Sequence, residues 1–141
     1  MSASGDLLSP MRRVVSLSLI AGFGPLGERV ITELGRLVSS TGEAQGRAVA
    51  VWNTSQTSED LRAAALTLLS APNLDRLEKL GYQIPQRLAG QPLCPNLVCV
   101  IDAGDASAAN RLSECFAIVA QCAPRTTAVA VMLGDVQLNN L

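Results

Sequence analysis

Histidine is missing from all 141 residues. Its absence excludes a Ser-His-Asp triad, a Cys-His pair, imidazole acid–base catalysis and a His-ligated zinc site. Lysine occurs once, at Lys79, so a Walker A loop, which needs Gly-Lys-Ser/Thr, cannot be built. Aromatic residues make up only 3% of the chain, and the core must therefore be aliphatic. Charged residues are scarce as well, at 16%, and balance to a net −1. The densest basic feature is the pair Arg12-Arg13, which gives no electrostatic footprint for nucleic acid. The longest apolar stretch, about thirteen residues, is too short for a bilayer-spanning helix. Arg12-Arg13 ahead of Val14–Ala21 has the outline of a signal peptide. However, a polar leader containing Asp6 precedes it, no clean small-residue cleavage site follows it, and the run continues into a glycine motif. A cytoplasmic protein with no membrane segment is expected.

The four cysteines, Cys94, Cys99, Cys115 and Cys122, have spacings that match neither C-x-x-C nor a zinc ribbon. They read as buried free thiols in a reducing compartment. What is abundant is aliphatic: hydrophobic residues reach 48%, which rules out disorder and suits one domain with a single core. Residues 1–12, rich in Ser, Gly and Pro, read as a leader, 13–135 as the domain and 136–141 as a tail.

Apolar runs alternate with helical periodicity. The first strand is expected over Arg13–Ala21. A helix follows over Pro25–Ser39, with Leu26, Val30, Leu34, Leu37 and Val38 inward and Glu28, Arg29, Glu33 and Arg36 outward. After a polar turn over 39–46 come a strand at Ala48–Trp52 and a helix capped by Ser58 that runs to about Ser70. Asn73 is expected to cap a short helix through Leu80. Residues 81–95, with three prolines, have room for one short edge strand. The third clear strand is Asn96–Ile101. A helix over Ala106–Cys122 follows, with Ala109, Leu112, Phe116, Val119 and Ala120 inward, and then a strand over Thr127–Leu133. Continuously apolar strands between amphipathic helices predict a three-layer, doubly wound, Rossmann-like α/β domain with at least four mainly parallel strands.

One motif carries chemistry. Gly22-Phe23-Gly24-Pro25-Leu26-Gly27 is a complete G-x-G-x-x-G between a strand and a helix. There the first glycine permits a tight turn, the second admits a phosphate to the backbone, and the third lets helix press on strand. The helix N-terminus adds free N–H groups and partial positive charge. Right-handed crossovers place the first and third strands side by side, so the ligand crevice should lie between Gly22–Gly27 and Asp102–Ser107, with Asn53, Thr54 and Ser55 as its side wall. Asp102 and Asp105 read either as helix-capping loop aspartates or as carboxylates for a metal or a ligand hydroxyl. Trp52 reads as a packing residue. Nothing pairs Tyr82 or Lys79 into a catalytic arrangement.

The run Ile20–Gly27, with Val51-Trp52-Asn53-Thr54 after the next strand, resembles the NADP-dependent beta-hydroxyacid dehydrogenase and imine reductase superfamily. The resemblance implies that Gly22, Gly24 and Gly27 bind a pyrophosphate and that Asn53, Thr54 and Ser55 face the adenosine ribose of NADP or NAD. The family's arginine after the asparagine is missing, as is its large helical domain with the catalytic lysine. The layout is also similar to the GTP-binding domain of the tubulin-like bacterial division proteins. Asn53-Thr54-Ser55 stands where their Asn-Thr-Asp motif stands, and Ile101–Ser107 where their glycine-rich phosphate loop stands, with only Gly104 retained.

Three functions follow as expectations. The first is a small nucleotide- or dinucleotide-binding module, noncatalytic alone, that acts as a subunit or regulator. The second is a structural or assembly protein whose Rossmann or tubulin-like fold no longer binds nucleotide. The third is an NAD(P)-dependent oxidoreductase completed by a partner chain. A homo-oligomer or protein partner is expected from the high apolar fraction.

Overall fold

The computed structural model describes residues 13–39 and 46–134, apart from the side chains of Ser39 and Ala109. The expected leader, the tail at 136–141, most of the polar turn at 39–46 and the inward placement of Ala109 lie outside what is described. Strands β1 (Arg13–Val14), β2 (Ser18–Phe23), β3 (Val49–Asn53), β4 (Tyr82–Gln83), β5 (Asn96–Asp102) and β6 (Thr127–Leu133) alternate with five helices. These are α1 (Gly24–Ser39), α2 (Ser58–Leu68), α3 (Ala71–Lys79), α4 (Pro85–Leu88) and α5 (Ala108–Cys122). The main sheet is wholly parallel in the order β3-β2-β5-β6. Helix α1 lies on one face, and α2 and α5 pack together on the other. This is the Rossmann-like α/β architecture the apolar strands call for.

The two faces are unequal. Side chains alternate along a strand, and Leu19, Ala21 and Phe23 of β2 all point beneath α2 and α5. In register beside them lie Trp52, Leu97, Cys99 and Ile101, all buried. Phe23 and Trp52 meet edge-on, their centroids 6.0 Å apart, which places both larger aromatics of the sheet in one spot. On the α1 face Gly22 replaces a side chain, and Ile31 is the fully buried helix residue opposite it.

The structure corrects the sequence reading in several places. The first strand is not continuous over Arg13–Ala21. Its start forms a separate two-stranded parallel sheet with β4, and the chain crosses to the main sheet between Val15 and Leu17. Strand β2 then runs through Gly22 and Phe23, so the first motif glycine lies within the strand. On α1 the core position belongs to Ile31, while Leu37 is 68% exposed. The helix packs chiefly on β2, β3 and β5. Leu26, Val30, Leu34 and Leu37 line an open groove of about 460 Å³ against Leu133.

The cap of α2 is Thr57, one residue before Ser58. Its hydroxyl accepts from Asp60 N–H while the Asp60 carboxylate accepts from Thr57 N–H, a reciprocal capping box. Helix α3 is capped by Ser70 rather than Asn73, with Pro72 in the first turn, where its missing N–H costs nothing. In α5 Ala108, Cys115, Ile118 and Val119 are buried and Leu112 and Cys122 pack against the core, so Leu112 and Val119 lie inward as expected, while Phe116 and Ala120 face outward.

Candidate functional site

The switch point falls where expected, at the C-terminal ends of β2 and β5, with the β3 end beside them. Each motif glycine has a steric reason. A Cβ on Gly22 would collide with the Gly27 carbonyl and the Ile31 side chain, and one on Gly27 with the Val100 carbonyl. Gly24, which opens α1, has φ +77°, a backbone state that L side chains rarely adopt. Pro25 follows it in the first turn, exposed, and Leu26 is half-buried. The glycines thus bring α1 hard against β2 and β5.

The anion position at the α1 N-terminus is taken by the chain itself. Asp102, buried at the end of β5, accepts from Leu26 N–H through Oδ2 at 3.1 Å and from Gly104 N–H through Oδ1 at 2.9 Å. A Cβ added to Gly24 would stand 2.8 Å from Asp102 Cβ and 3.0 Å from Asp105 Oδ2. Two carboxylates therefore crowd the backbone that a pyrophosphate would need to approach. The helix dipole and its unsatisfied first-turn N–H groups meet this internal anion. Asp102 is thus a cap for α1, across the crevice, whereas Asp105 serves the helix that follows it. Asp105 Oδ1 accepts from Ser107 Oγ at 2.7 Å and from Ser107 N–H at 3.0 Å. These bonds, the hydroxyl one first, hold the Asp105 carboxyl below the usual carboxylate range.

The side wall is closed in the same manner. Asn53 Oδ1 accepts from Ser55 N–H at 3.0 Å and from the Ser55 hydroxyl, while Gln56 Oε1 accepts from Asn53 N–H. The Thr54 hydroxyl donates to Glu28 on α1 at 2.8 Å, and Thr54 N–H donates to Gly22 O. The groups expected to face a ribose are turned onto one another and onto α1. Arg111 is a residue that sequence reasoning missed. Its Nη1 donates to Thr54 O at 2.9 Å, and its guanidinium lies 5.8 Å from the Trp52 ring centroid. Trp52 itself donates through Nε1 to Thr57 O. Trp52 is thus a buried packing residue with a cation over its ring. No local pattern marks Arg111, because its role arises only when α5 packs beside the β3 end.

The structure brings Gly22, Gly24, Leu26, Gly27, Thr54 and Asp102 together. Tyr82, on β4, belongs to the other sheet. Among the described residues no group of three metal-ligating side chains converges. Cys99 and Cys115 meet inside the core, where the contact with Cys99 and burial push the Cys115 thiol up. That makes it a protonated packing group rather than a nucleophile. No helix among the described residues is long and apolar enough to cross a membrane. The site and fold together define a Rossmann-like domain with a self-capped crevice. The chain matches no family model, and no curated protein or solved structure matches it.

Proposed function

We propose that this protein is a noncatalytic structural or assembly module whose Rossmann-like crevice is closed to nucleotide by its own side chains. The observation that carries this reading is the buried Asp102 carboxylate on Leu26 N–H, in the place a phosphate would occupy. A bound nucleotide would have to displace a hydrogen-bonded carboxylate and then sit against Asp105, paying both desolvation and like-charge repulsion. The Thr54–Glu28 bond ties the side wall to α1 over the same opening.

The assembly partner in this reading is a second copy joined along β6. Among the described residues this strand is the outer edge of the main sheet, and Val129, Val131 and Met132 are exposed on it. Thr127–Leu133 contains no charge or proline of the kind that protects exposed edges. Antiparallel pairing about Ala130 would set Val129 against Val131, Ala128 against Met132 and Thr127 against Leu133 of the partner, all compatible cross-strand pairs.

Calorimetric titration with NAD, NADP, GTP and ATP tests the closed crevice. No heat is expected at about millimolar ligand, a free energy weaker than about −4 kcal/mol. Micromolar binding of any of the four would return the protein to the second reading, a nucleotide-binding subunit or regulator. What favours that second reading is the intact strand–glycine turn–helix geometry at Gly22–Gly27, with Gly24 in its left-handed conformation.

A further inference from the structure

A cavity of about 410 Å³ lies between α1, α2, α3 and β3, which is an edge strand of the main sheet among the described residues. Its walls are mostly aliphatic, from Val38, Val51, Ala64 and Leu68, and its polar lining includes two arginines, Arg47 and Arg76. We infer that this cavity is a binding site for a small amphipathic carboxylate, its head held by Arg47 and Arg76 and its apolar body lying against the aliphatic wall. The inference is independent of the crevice at Gly22–Gly27 and of what occupies it.

Three observations carry it. The first is that Arg47 is rigidly placed. Asn73, buried at the start of α3, accepts from Arg47 N–H at 2.7 Å and donates to Arg47 O at 2.9 Å, while the same amide nitrogen donates to Leu68 O. One carboxamide thus clamps both backbone groups of Arg47. The second is that the backbone just before Arg47 is pressed onto α3 at Arg76, so that both arginines line one cavity. Gly46, at φ +76°, lies so close to α3 that an added Cβ would stand 2.9 Å from Arg76 Cβ.

The third observation is that neither cation has an anion among the described residues. Among the described residues no carboxylate reaches Arg47 or Arg76, and Arg47 Nε is buried with no hydrogen-bond partner. The acids of α3 are spent elsewhere, since Asp75 and Glu78 both bind Arg87, at 2.7 and 2.6 Å. A buried guanidinium donor left unsatisfied is costly. A planar carboxylate matches the fork geometry of guanidinium groups. The aliphatic wall selects an apolar body, and the volume suits a ligand of about ten heavy atoms.

The test is calorimetry on the full chain with octanoate, 1-octanol and acetate as probes. Octanoate is expected to bind, with octanol and acetate each weaker by about tenfold or more, because each lacks one half of the recognition. Arg47→Met and Arg76→Gln should each weaken octanoate by about tenfold. Arg76 is exposed, so Arg76→Gln should leave the unliganded urea midpoint unchanged and carry the test even if Arg47→Met folds poorly. Ala63→Leu, which fills the cavity without touching either cation, should also weaken octanoate. The inference is overturned by absence of octanoate binding at about 5 mM, by octanol binding as tightly as octanoate, or by unchanged octanoate affinity in Arg76→Gln.

Discussion

At the scale of single residues, the packing requires some glycines and leaves others free to change. Gly22 and Gly27 meet backbone atoms that cannot move without parting α1 from β2 and β5. Gly22→Ala or Gly27→Ala should therefore destabilise the protein by about 3 kcal/mol, the upper range for overpacking. Gly35, mid-helix in α1, has only Val51 Cγ2 at 3.6 Å from an added Cβ and no left-handed φ. Gly35→Ala should stabilise by about 0.5–1 kcal/mol, because the folded helix loses nothing and the unfolded chain loses freedom. Urea midpoints of the three variants check this, and a stable Gly27→Ala would refute the close approach. The Asp105 carboxyl makes a different residue-scale prediction. Its folded pKa is below its ordinary value of 3.8. Its contribution to stability is therefore complete above that value and is lost as pH falls through the lowered one. Asp105→Asn should flatten the acid limb of a stability profile in that window and leave the slope above pH 5, about one unit past the ordinary value, unchanged.

At the scale of elements, much of the fold is legible in the sequence because periodicity reports burial directly. The strands over 96–101 and 127–133 and the glycine turn emerge from apolar runs bounded by breakers. The errors fall where tertiary contacts decide between near-equal local choices. Thr57 and Ser58 are both good caps, and Thr57 prevails because Asp60 stands three residues on and returns the bond. Thr57→Ala should accordingly cost about 1 kcal/mol in chemical denaturation. Ser58→Ala should cost only a few tenths, the worth of an exposed bond to Glu114. Asn73 reads as a cap because Asn favours that position, yet its amide is worth more bridging Arg47 and Leu68 inside the fold. Asn73→Ala should cost about 3 kcal/mol, since the Arg47 amide and two carbonyls lose their partner together. A loss below about 1 kcal/mol would mean water replaces the amide. The candidate site was legible only in outline. The glycines and Asp102 converge as their strand ends require, but no sequence pattern reveals that Asp102 faces α1 or that Arg111 covers Trp52.

At the scale of the whole molecule, the sheet is covered unevenly, and this governs how the protein meets other surfaces. The α2–α5 face holds nearly all the large buried side chains, whereas α1 packs chiefly over β2, β3 and β5. Strands β2 and β5 have neighbours on both sides, so their amides should exchange slowest, and the two-residue β1–β4 ladder should open first. The consequence for assembly rests on β6, where Val131 is 41% exposed and a longer side chain can reach solvent. Val131→Lys places a charge at the centre of the edge, next to the proposed two-fold at Ala130, where it would face apolar Val129 of the partner and lie close to its own symmetry mate. It should shift a sedimentation profile from dimer to monomer while changing the urea midpoint at low protein concentration by less than about 0.5 kcal/mol in free energy. A wild-type chain that sediments as a monomer at high concentration would remove the second copy as the partner along β6. A Val131→Lys variant that stays dimeric would place the interface elsewhere.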